Sequence, residues 1–441
     1  MIATSAKALL EQEAYALRAR LDNVKPFSIH MPMVMAAAIS PTAMTAIEQH
    51  VRNHSLRLRQ LIDMFVQWME SPAGVAATPA AAQRRLTTLR LQFSAMLSRF
   101  DIFAEAITQR SEHDHGVWLS GLDVLAEDAL IVPDAPYRVP PVVCYLDRGI
   151  GAAIRRVRTP LPGGSSNPVT IIRVPRERMI GSGIGASIVH EAGHQAAAFM
   201  GLVKSLRDEI RERHKDIGID PDVVTVFMRW LPEILSDFWS VGKLGISATL
   251  GVMTVVSLPS VFVKHVERNG THPTPWIRIK LSAALGNELY PHSQWAGFSA
   301  LWEELYPLND NTDPHCIFLR RLEEALPALS QIIAEHRPLA LQGRSLRDIM
   351  PVTKRLPHLL LERFQHWRKH KRAILEDSPT LVMAVMGQAK FNGRLPAYEE
   401  SRLLNNCLRR WALRRALDTG ERCAFSISEQ KQREFTALTA N

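Results

Sequence analysis

The segment from Ile188 to Met200 most constrains the fold, because it combines an apolar composition with the motif His190-Glu191-Ala192-Gly193-His194. Residues four apart return to nearly the same face of an α-helix, so both imidazoles can reach one metal ion. Glu191 lies one step further round and can contact a water on that metal. The apolar neighbours predict a buried helix. Gly193, which is unfavourable inside a helix, predicts a close approach to its backbone.

A pair of carboxylates follows in the segment Trp230-Leu231-Pro232-Glu233-Ile234-Leu235-Ser236-Asp237. Pro232 suits the first turn of a helix, and Glu233 and Asp237 then share one face of an otherwise apolar helix. Carboxylates in such a setting are costly unless a cation or hydrogen bonds compensate them. We expect a zinc ion to compensate Glu233 and a histidine N–H to compensate Asp237. The alternative is a pair of ordinary acids on a solvated helix edge.

The order H-E-x-x-H and then E-x-x-x-D resembles the gluzincin class of zinc metallopeptidases. A third segment, Thr271-His272-Pro273-Thr274-Pro275-Trp276-Ile277-Arg278-Ile279, is similar to the His-Pro…Arg segment of the CAAX-type and heat-shock membrane endopeptidases. The resemblance covers roughly residues 169–280. The interval between His194 and Glu233 lacks the transmembrane segments of those membrane enzymes, which implies a soluble relative.

The resemblance implies a single Zn²⁺ ion held by His190, His194 and Glu233. One further position on the metal would stay open for water. Asp237 is implied to orient one of the imidazoles without binding the metal itself. These four residues form the expected metal site.

The resemblance also implies a zinc-dependent endopeptidase that hydrolyses a peptide or protein substrate with metal-activated water. Glu191 is the implied general base, and His272 would stabilise the developing oxyanion with support from Arg278. The alternative is a non-catalytic zincin-like scaffold whose terminal helical domains bind a partner. Such a scaffold has no use for a general base, so the presence of Glu191 favours the enzyme.

Apolar residues at spacings of three and four predict helices from about residue 5 to 130 and again beyond about 300. Between them, Val142–Leu146 and Val169–Val174 have the composition of strands. We predict an α-rich α+β fold: a zincin-like core with a small β-sheet over the H-E-x-x-H helix, flanked by helical N- and C-terminal regions. The predicted domains are residues 1–131, 132–300 and 301–441. Val169–Val174 is either an edge strand to which an extended substrate adds or an interior strand.

The formal net charge of +9 lies within residues 341–441, since the preceding part of the chain is balanced. Basic runs at 368–372 and 409–415 could attract phosphate or anionic lipid. Interleaved acids and the lack of a nucleic-acid motif favour a solvated helix surface instead, so nucleic acid is not an expected partner. We also expect this segment to be dispensable for metal binding, because every proposed ligand precedes it.

Four cysteines without a C-x-x-C pair are typical of a reducing compartment. No apolar region follows a basic start, so we expect no cleaved export signal and a cytoplasmic location.

The uncharged run from Leu244 to Val263 is long enough to cross a bilayer. Its polar residues and Pro259 favour a buried, interrupted helix, and membrane association is therefore not favoured. Gly181-Ser182-Gly183-Ile184-Gly185 lacks G-x-G-x-x-G spacing and does not predict a nucleotide site.

Overall fold

The structure, a computed structural model, describes residues 5–149, 151–176, 181–310 and 312–439. Most of these residues are helical, and the strands among them form one small mixed sheet. The predicted α-rich α+β class is therefore confirmed. The zincin-like character of the core stays a prediction at this point.

Long helices fill the N-terminal part of the chain, as the apolar spacing predicts. Ser40 and Thr78 each cap a helix by accepting a hydrogen bond from the backbone N–H three residues on, and a proline follows each of them. The connection between these two helices contains one further short helix, which Ser71 caps by accepting a hydrogen bond from the backbone N–H of Gly74. The helices are α1 (Ala6–Asp22), α2 (Phe27–His30), α3 (Pro41–Glu70), α4 (Pro72–Ala76), α5 (Pro79–Thr108) and α6 (His113–Leu130).

The sheet contains both predicted strands and a short third one. Its strands are β1 (Val142–Asp147), β2 (Ala153–Arg155) and β3 (Thr170–Pro175), in the order β1-β3-β2. Strand β3 is thus interior, with both of its edges paired. The hypothesis that a substrate adds to this strand as an edge is wrong. Nearly every residue of β3 is buried, as is usual for a strand covered on both faces.

The described chain groups into two compact units. Unit 1 comprises residues 1–119, 141–145 and 155–171, and unit 2 comprises residues 120–140, 146–154 and 172–441. Both functional motifs lie in unit 2. The division into three domains after residues 131 and 300 stays a prediction.

Unit 1 is built on helices α1, α3 and α5, which all contact one another. Each helix turns one apolar stripe inward, so the three stripes form a common core. Members of this core from the two apolar patterns of the sequence are Leu58, Phe65, Met69, Leu86, Leu89 and Phe93. The periodicity of the sequence therefore predicted the buried faces of α3 and α5.

Unit 2 contains most of α6 and all of the helices that follow it, the first of which carries H-E-x-x-H. That helix ends at Gly201, whose φ of 64° is the left-handed conformation that favours glycine. The helices are α7 (Gly183–Met200), α8 (Leu202–Ile217), α9 (Pro221–Leu244), α10 (Ile246–Val256), α11 (Ser260–Lys264), α12 (Pro275–Leu289), α13 (Ser293–Leu305), α14 (Pro314–Glu335), α15 (Pro357–Lys369), α16 (Pro379–Phe391) and α17 (Ala397–Thr439).

The uncharged run from Leu244 to Val263 is interrupted, as expected. Gly245, with a φ of 57°, separates α9 from α10, and the non-helical residues 257–259 separate α10 from α11. The expectation of burial is correct only for the first part, because Val261 and Phe262 are 70% and 61% exposed. Among the residues that the structure describes, no helix is both long and apolar enough to cross a membrane.

The C-terminal segment of unit 2 packs closely against the H-E-x-x-H helix and its neighbours. A Cβ placed on Gly185 of α7 would lie 2.1 Å from Cε of Met383, and one on Gly242 of α9 would lie 2.6 Å from Sδ of Met350. Such contacts leave no room for water, so removing residues 341–441 would expose the core. This packing argues against the expectation that the segment is dispensable for metal binding.

The basic run at 368–372 is solvent-exposed, and Ala373, which follows it, is buried.

Candidate metal centre

Helix α7 presents the two histidines of the motif side by side. The ring centroids of His190 and His194 lie 5.0 Å apart, and their planes are perpendicular. Both side chains are mostly buried, with 12% and 18% of their surface exposed. The four-residue spacing thus produces the pairing that the sequence predicts.

Helix α9 brings a carboxylate to the same pair of rings. Oε2 of Glu233 lies 3.2 Å from Nε2 of His190, and Oε1 lies 3.3 Å from Nε2 of His194. One ligand atom from each of these three residues falls within 4.8 Å of the other two. Three residues from two helices therefore converge on one point.

Gly193 explains how α9 can come so close to α7. A Cβ at this position would lie 2.8 Å from Cα of Ser236 and 2.9 Å from Cβ of Trp239, both in α9. Such distances are shorter than carbon atoms tolerate, so only glycine fits without moving α9. The close approach predicted from this glycine is confirmed, and the group that approaches is the helix carrying Glu233.

Asp237 lies one turn beyond Glu233 and contacts the other nitrogen of His190. Its Oδ1 atom is 2.8 Å from Nδ1 of His190, and only 1% of its side chain is exposed. A carboxylate at Nδ1 favours the proton on that nitrogen, which leaves Nε2 free to act as a ligand. The predicted partnership of Asp237 with a histidine N–H is present in the structure.

Arg278, in α12, completes the environment of Asp237. Its Nε donates to Oδ2 at 2.7 Å and its Nη2 donates to Oδ1 at 2.9 Å, a bidentate pair. Nη2 also lies 3.7 Å from Oε2 of Glu233. Arg278 therefore contacts the carboxylates that support the histidines and is best described as a positioning residue.

The charges of this cluster shift the pKa values of its members. Burial alone would lower the pKa of His190, but the charge and hydrogen bond of Asp237 outweigh burial and raise it to about 9. Burial alone would raise the pKa of Asp237, but Arg278 and His190 lower it to about 2. Burial likewise opposes ionisation of Glu233, yet its contacts with His190 and His194 hold its pKa far below the usual range. Both carboxylates are thus ionised at neutral pH.

Glu191 differs from its neighbours, because burial dominates its titration. It is 7% exposed, and burial raises its pKa above the usual value for a glutamate despite the nearby His190 and His194. A carboxylate with a raised pKa holds a proton more readily near neutral pH, which suits an acid–base group. The predicted role of Glu191 stays a prediction, and its place beside the histidines is as expected.

His272 lies at the open side of the cluster. Its side chain is 66% exposed, and its Nε2 lies 3.6 Å from Oε1 of Glu233. Its Nδ1 is 3.1 Å from the hydroxyl of Thr271 in the segment before α12. An exposed imidazole next to a buried carboxylate can reach a group that arrives from solvent. All seven predicted site residues therefore come together in unit 2.

Pro232 does not begin a helix, which corrects one expectation. Helix α9 begins at Pro221 and contains Pro232 in its interior. Proline has no N–H, so the carbonyl of Met228 one turn earlier loses its helical partner. Nε of Arg207, in α8, donates to that carbonyl at 3.1 Å instead. Sequence reasoning did not find Arg207, and the only signal was a proline inside an apolar helical pattern.

The N-terminus of α7 also depends on a residue that the sequence did not indicate. Glu400 of α17 accepts hydrogen bonds from the backbone N–H and the hydroxyl of Ser182, the former at 2.9 Å. Its other carboxylate oxygen accepts from Lys390 at 2.8 Å. A buried carboxylate thus satisfies the positive end of the helix. A nucleotide phosphate would have to displace Glu400, which agrees with the expectation of no nucleotide site there.

The donor set fits a zinc ion. Zinc binds imidazole nitrogen and carboxylate oxygen at roughly 2.0–2.2 Å in tetrahedral geometry, which places neighbouring ligand atoms about 3.4 Å apart. Nε2 of His190 lies 3.2 Å from Oε2 of Glu233 and Nε2 of His194 lies 3.3 Å from Oε1, so each nitrogen is close to that separation from one of the two carboxylate oxygens. Within the described residues, His190, His194 and Glu233 are the group of three potential ligands.

Comparison of the chain with models of protein families, with curated proteins and with solved structures finds no match.

Proposed function

We propose that this protein is a zinc-dependent endopeptidase with a zincin-like core in unit 2. The observation that carries the proposal is the convergence of His190, His194 and Glu233 within 4.8 Å, with Glu191 buried beside them. A structural zinc site has four protein ligands, whereas three leave a position for reaction. The local resemblance of the three motifs to gluzincins supports the same activity.

His190, His194 and Glu233 would hold the ion in this proposal. When bound, zinc supplies a Lewis acid that polarises a carbonyl and lowers the pKa of water. Glu191 takes a proton from the water that attacks the scissile carbonyl and passes it to the amine that leaves when the C–N bond breaks. Its raised pKa supports this role, because the acceptor must hold the proton between the two steps.

The other residues position and complement the reacting groups. Asp237 holds His190 in the tautomer that presents Nε2, and Arg278 holds Asp237 in place with two hydrogen bonds. His272, which is exposed beside Glu233, donates to the oxygen on which negative charge develops. Three of the seven residues would thus share the task of holding the ion, and each of the other four has a task of its own.

We further propose a cytoplasmic site of action. None of the four cysteines is in a disulfide, and Cys144, Cys316 and Cys407 are buried. Free thiols of this kind are typical of proteins in reducing compartments.

The test combines zinc analysis with a search for cleavage. The full chain is purified, its zinc content is measured, and it is incubated with a proteome-derived peptide library whose new termini are identified by mass spectrometry. We expect one zinc per chain and new termini that Glu191→Gln does not produce, since this change removes the proton acceptor and keeps the ligands. The matched control is Glu304→Gln, a change at an exposed glutamate of α13.

Two results would overturn the proposal. One is cleavage by Glu191→Gln at the rate of the parent, because a general base contributes about 10²–10⁴-fold. The other is a zinc-loaded parent that produces no new termini, which would favour the zincin-like scaffold that binds a partner.

A further inference from the structure

Unit 1 contains a cavity of about 350 Å³ that the proposed hydrolytic function does not use. It lies between helices α3 and α5 and the turn at residues 163–165. This volume is within the range of sites for small organic molecules. One side of the lining is apolar and comprises Leu58, Leu61 and Met96.

The polar side of the cavity is cationic. Arg57 and Arg99 line it together with His54, Gln92 and Ser165, and its lining contains no aspartate or glutamate. Within the described part of the chain, neither arginine forms an ion pair, although Arg59 on the same helix is paired with Asp22. A concave surface with only positive charge raises the local concentration of anions.

Arg99 is built into this site. Its residue is only 7% exposed, and its Nε donates to the carbonyl of Pro162 at 2.6 Å. Its Nη1 is buried and has no hydrogen-bond partner. A buried guanidinium N–H without an acceptor is unfavourable in a folded protein.

Gly163 confirms that the turn is shaped around this guanidinium. A Cβ on Gly163 would lie 2.6 Å from Nη2 of Arg99, and the φ of 79° at this residue also favours glycine. Any other residue would push the guanidinium away from the turn. The turn and the arginine therefore form one preorganised unit.

The positive field of the site also acts on a nearby histidine. Burial is the first cause that lowers the pKa of His50, and the charges of His54 and Arg99 lower it further, to about 4. Nε2 of His50 is 3.4 Å from the hydroxyl of Ser165, which lines the cavity. His50 is thus neutral at pH 7 and adds no cation that would repel Arg99.

We propose that this cavity binds an organic phosphate, with the phosphate on Arg99 and Arg57 and the organic part on Leu58, Leu61 and Met96. Guanidinium groups bind phosphate through charge-assisted, often bidentate hydrogen bonds. Two unpaired guanidinium groups match the two charges of a phosphate monoester better than the single charge of a carboxylate. This site is independent of the zinc site.

The test is calorimetric titration of the full chain at constant ionic strength with phenyl phosphate, benzoate, phenol and inorganic phosphate. We expect one saturable site for phenyl phosphate, weaker binding of benzoate and of inorganic phosphate, and none of phenol. Arg57→Gln should weaken the binding of phenyl phosphate about tenfold, since it removes a hydrogen bond between charged groups. The matched control, Arg52→Gln, changes an exposed arginine of the same helix outside the cavity and should bind as the parent does.

Arg99→Lys provides a second variant that keeps the charge and loses the planar fork, and it should also bind more weakly. The proposal is wrong if phenyl phosphate gives no saturable heat, if phenol binds as tightly, or if Arg57→Gln and Arg52→Gln weaken binding equally. If inorganic phosphate and phenyl phosphate bind with equal affinity, the claim that an organic group contacts the apolar side of the cavity is wrong. Binding that is unchanged in Glu191→Gln separates this site from the zinc site.

Discussion

Nδ1 of His190 lies 2.8 Å from Oδ1 of Asp237, and this contact sets the protonation of the proposed zinc ligand. Without metal the pKa of His190 is raised to about 9, so the ring carries a second proton at neutral pH. Zinc must displace that proton from Nε2. The contact therefore both orients the ring and makes metal binding depend on pH.

Asp237→Asn should change this pH dependence. In the parent, zinc affinity should rise with pH up to about pH 9, where His190 loses its second proton. In Asp237→Asn the charge that contributes most to raising the pKa is gone, so the rise should end at a lower pH than in the parent. Zinc affinity at high pH should also fall about 10–100-fold, because the ring loses its support.

Competition with a chelator across this pH range measures both effects. Asp222→Asn, at an exposed aspartate in the first turn of the same helix, is the control and should follow the parent. A parent whose zinc affinity levels off near pH 6.5 would contradict the assigned role of Asp237.

Glu233→Ala should lose zinc and activity together. The change removes the carboxylate that contacts both histidines and leaves two protein ligands for the ion. Added zinc should partly restore activity. Zinc content after dialysis against a mild chelator measures the effect, with Glu304→Ala at an exposed site as the control. Full zinc retention in Glu233→Ala would place the third ligand elsewhere.

His272→Ala should keep zinc and slow turnover. The side chain is 66% exposed, so its removal costs little packing. Loss of one donor to a developing oxyanion lowers kcat by about 10²–10³-fold. Steady-state kinetics on a peptide from the library should show the loss in kcat, whereas His358→Ala in α15 should leave kcat unchanged. If His272→Ala instead releases zinc, the residue acts on the metal and not on the substrate.

Gly193→Ala should destabilise the protein although alanine favours helices. Its Cβ would lie 2.8 Å from the backbone of Ser236, and overpacking of this kind costs about 1–3 kcal/mol. Gly297→Ala is the matched control, because its new Cβ in α13 would meet no atom within 4 Å apart from its own chain neighbours and helix backbone. That change should stabilise the protein by about 0.5–1 kcal/mol. Urea unfolding measures both, and equal effects would refute the close contact of α7 and α9.

Arg207→Met should destabilise the protein by about 1 kcal/mol, because it leaves the carbonyl of Met228 without a donor. Pro232→Ala restores the helical N–H that can reach this carbonyl. Arg207→Met should therefore cost less in the Pro232→Ala background than in the parent. A double-mutant cycle by urea unfolding measures the difference. Additive changes would show that the arginine does not replace the missing helical hydrogen bond.

Local patterns in the sequence were sufficient for the helices and for much of the site. The spacing of Leu86, Leu89 and Phe93 predicts the buried face of α5, since helical geometry alone decides which residues share a face. The four-residue intervals from His190 to His194 and from Glu233 to Asp237 place each pair on one side of its helix for the same reason. The sequence also predicted a close approach at Gly193.

Long-range partners required the tertiary structure. Arg207 contacts Met228, and Glu400 caps Ser182 from more than two hundred residues away, and no local pattern connects either pair. The sequence did not predict the interior position of β3 either, because an edge strand and an interior strand can have the same composition.

The sequence by itself determined the helical pairs of candidate ligands and the residue types suited to zinc, because both follow from helical periodicity and side-chain chemistry. Only the tertiary structure decided that the two pairs meet. It also decided that Asp237 forms a hydrogen bond with His190 and that Arg278 donates a hydrogen bond to Asp237. Those contacts depend on how closely α7 and α9 approach and on where α12 lies. Such distances are set by packing between segments remote in the chain, which periodicity does not encode.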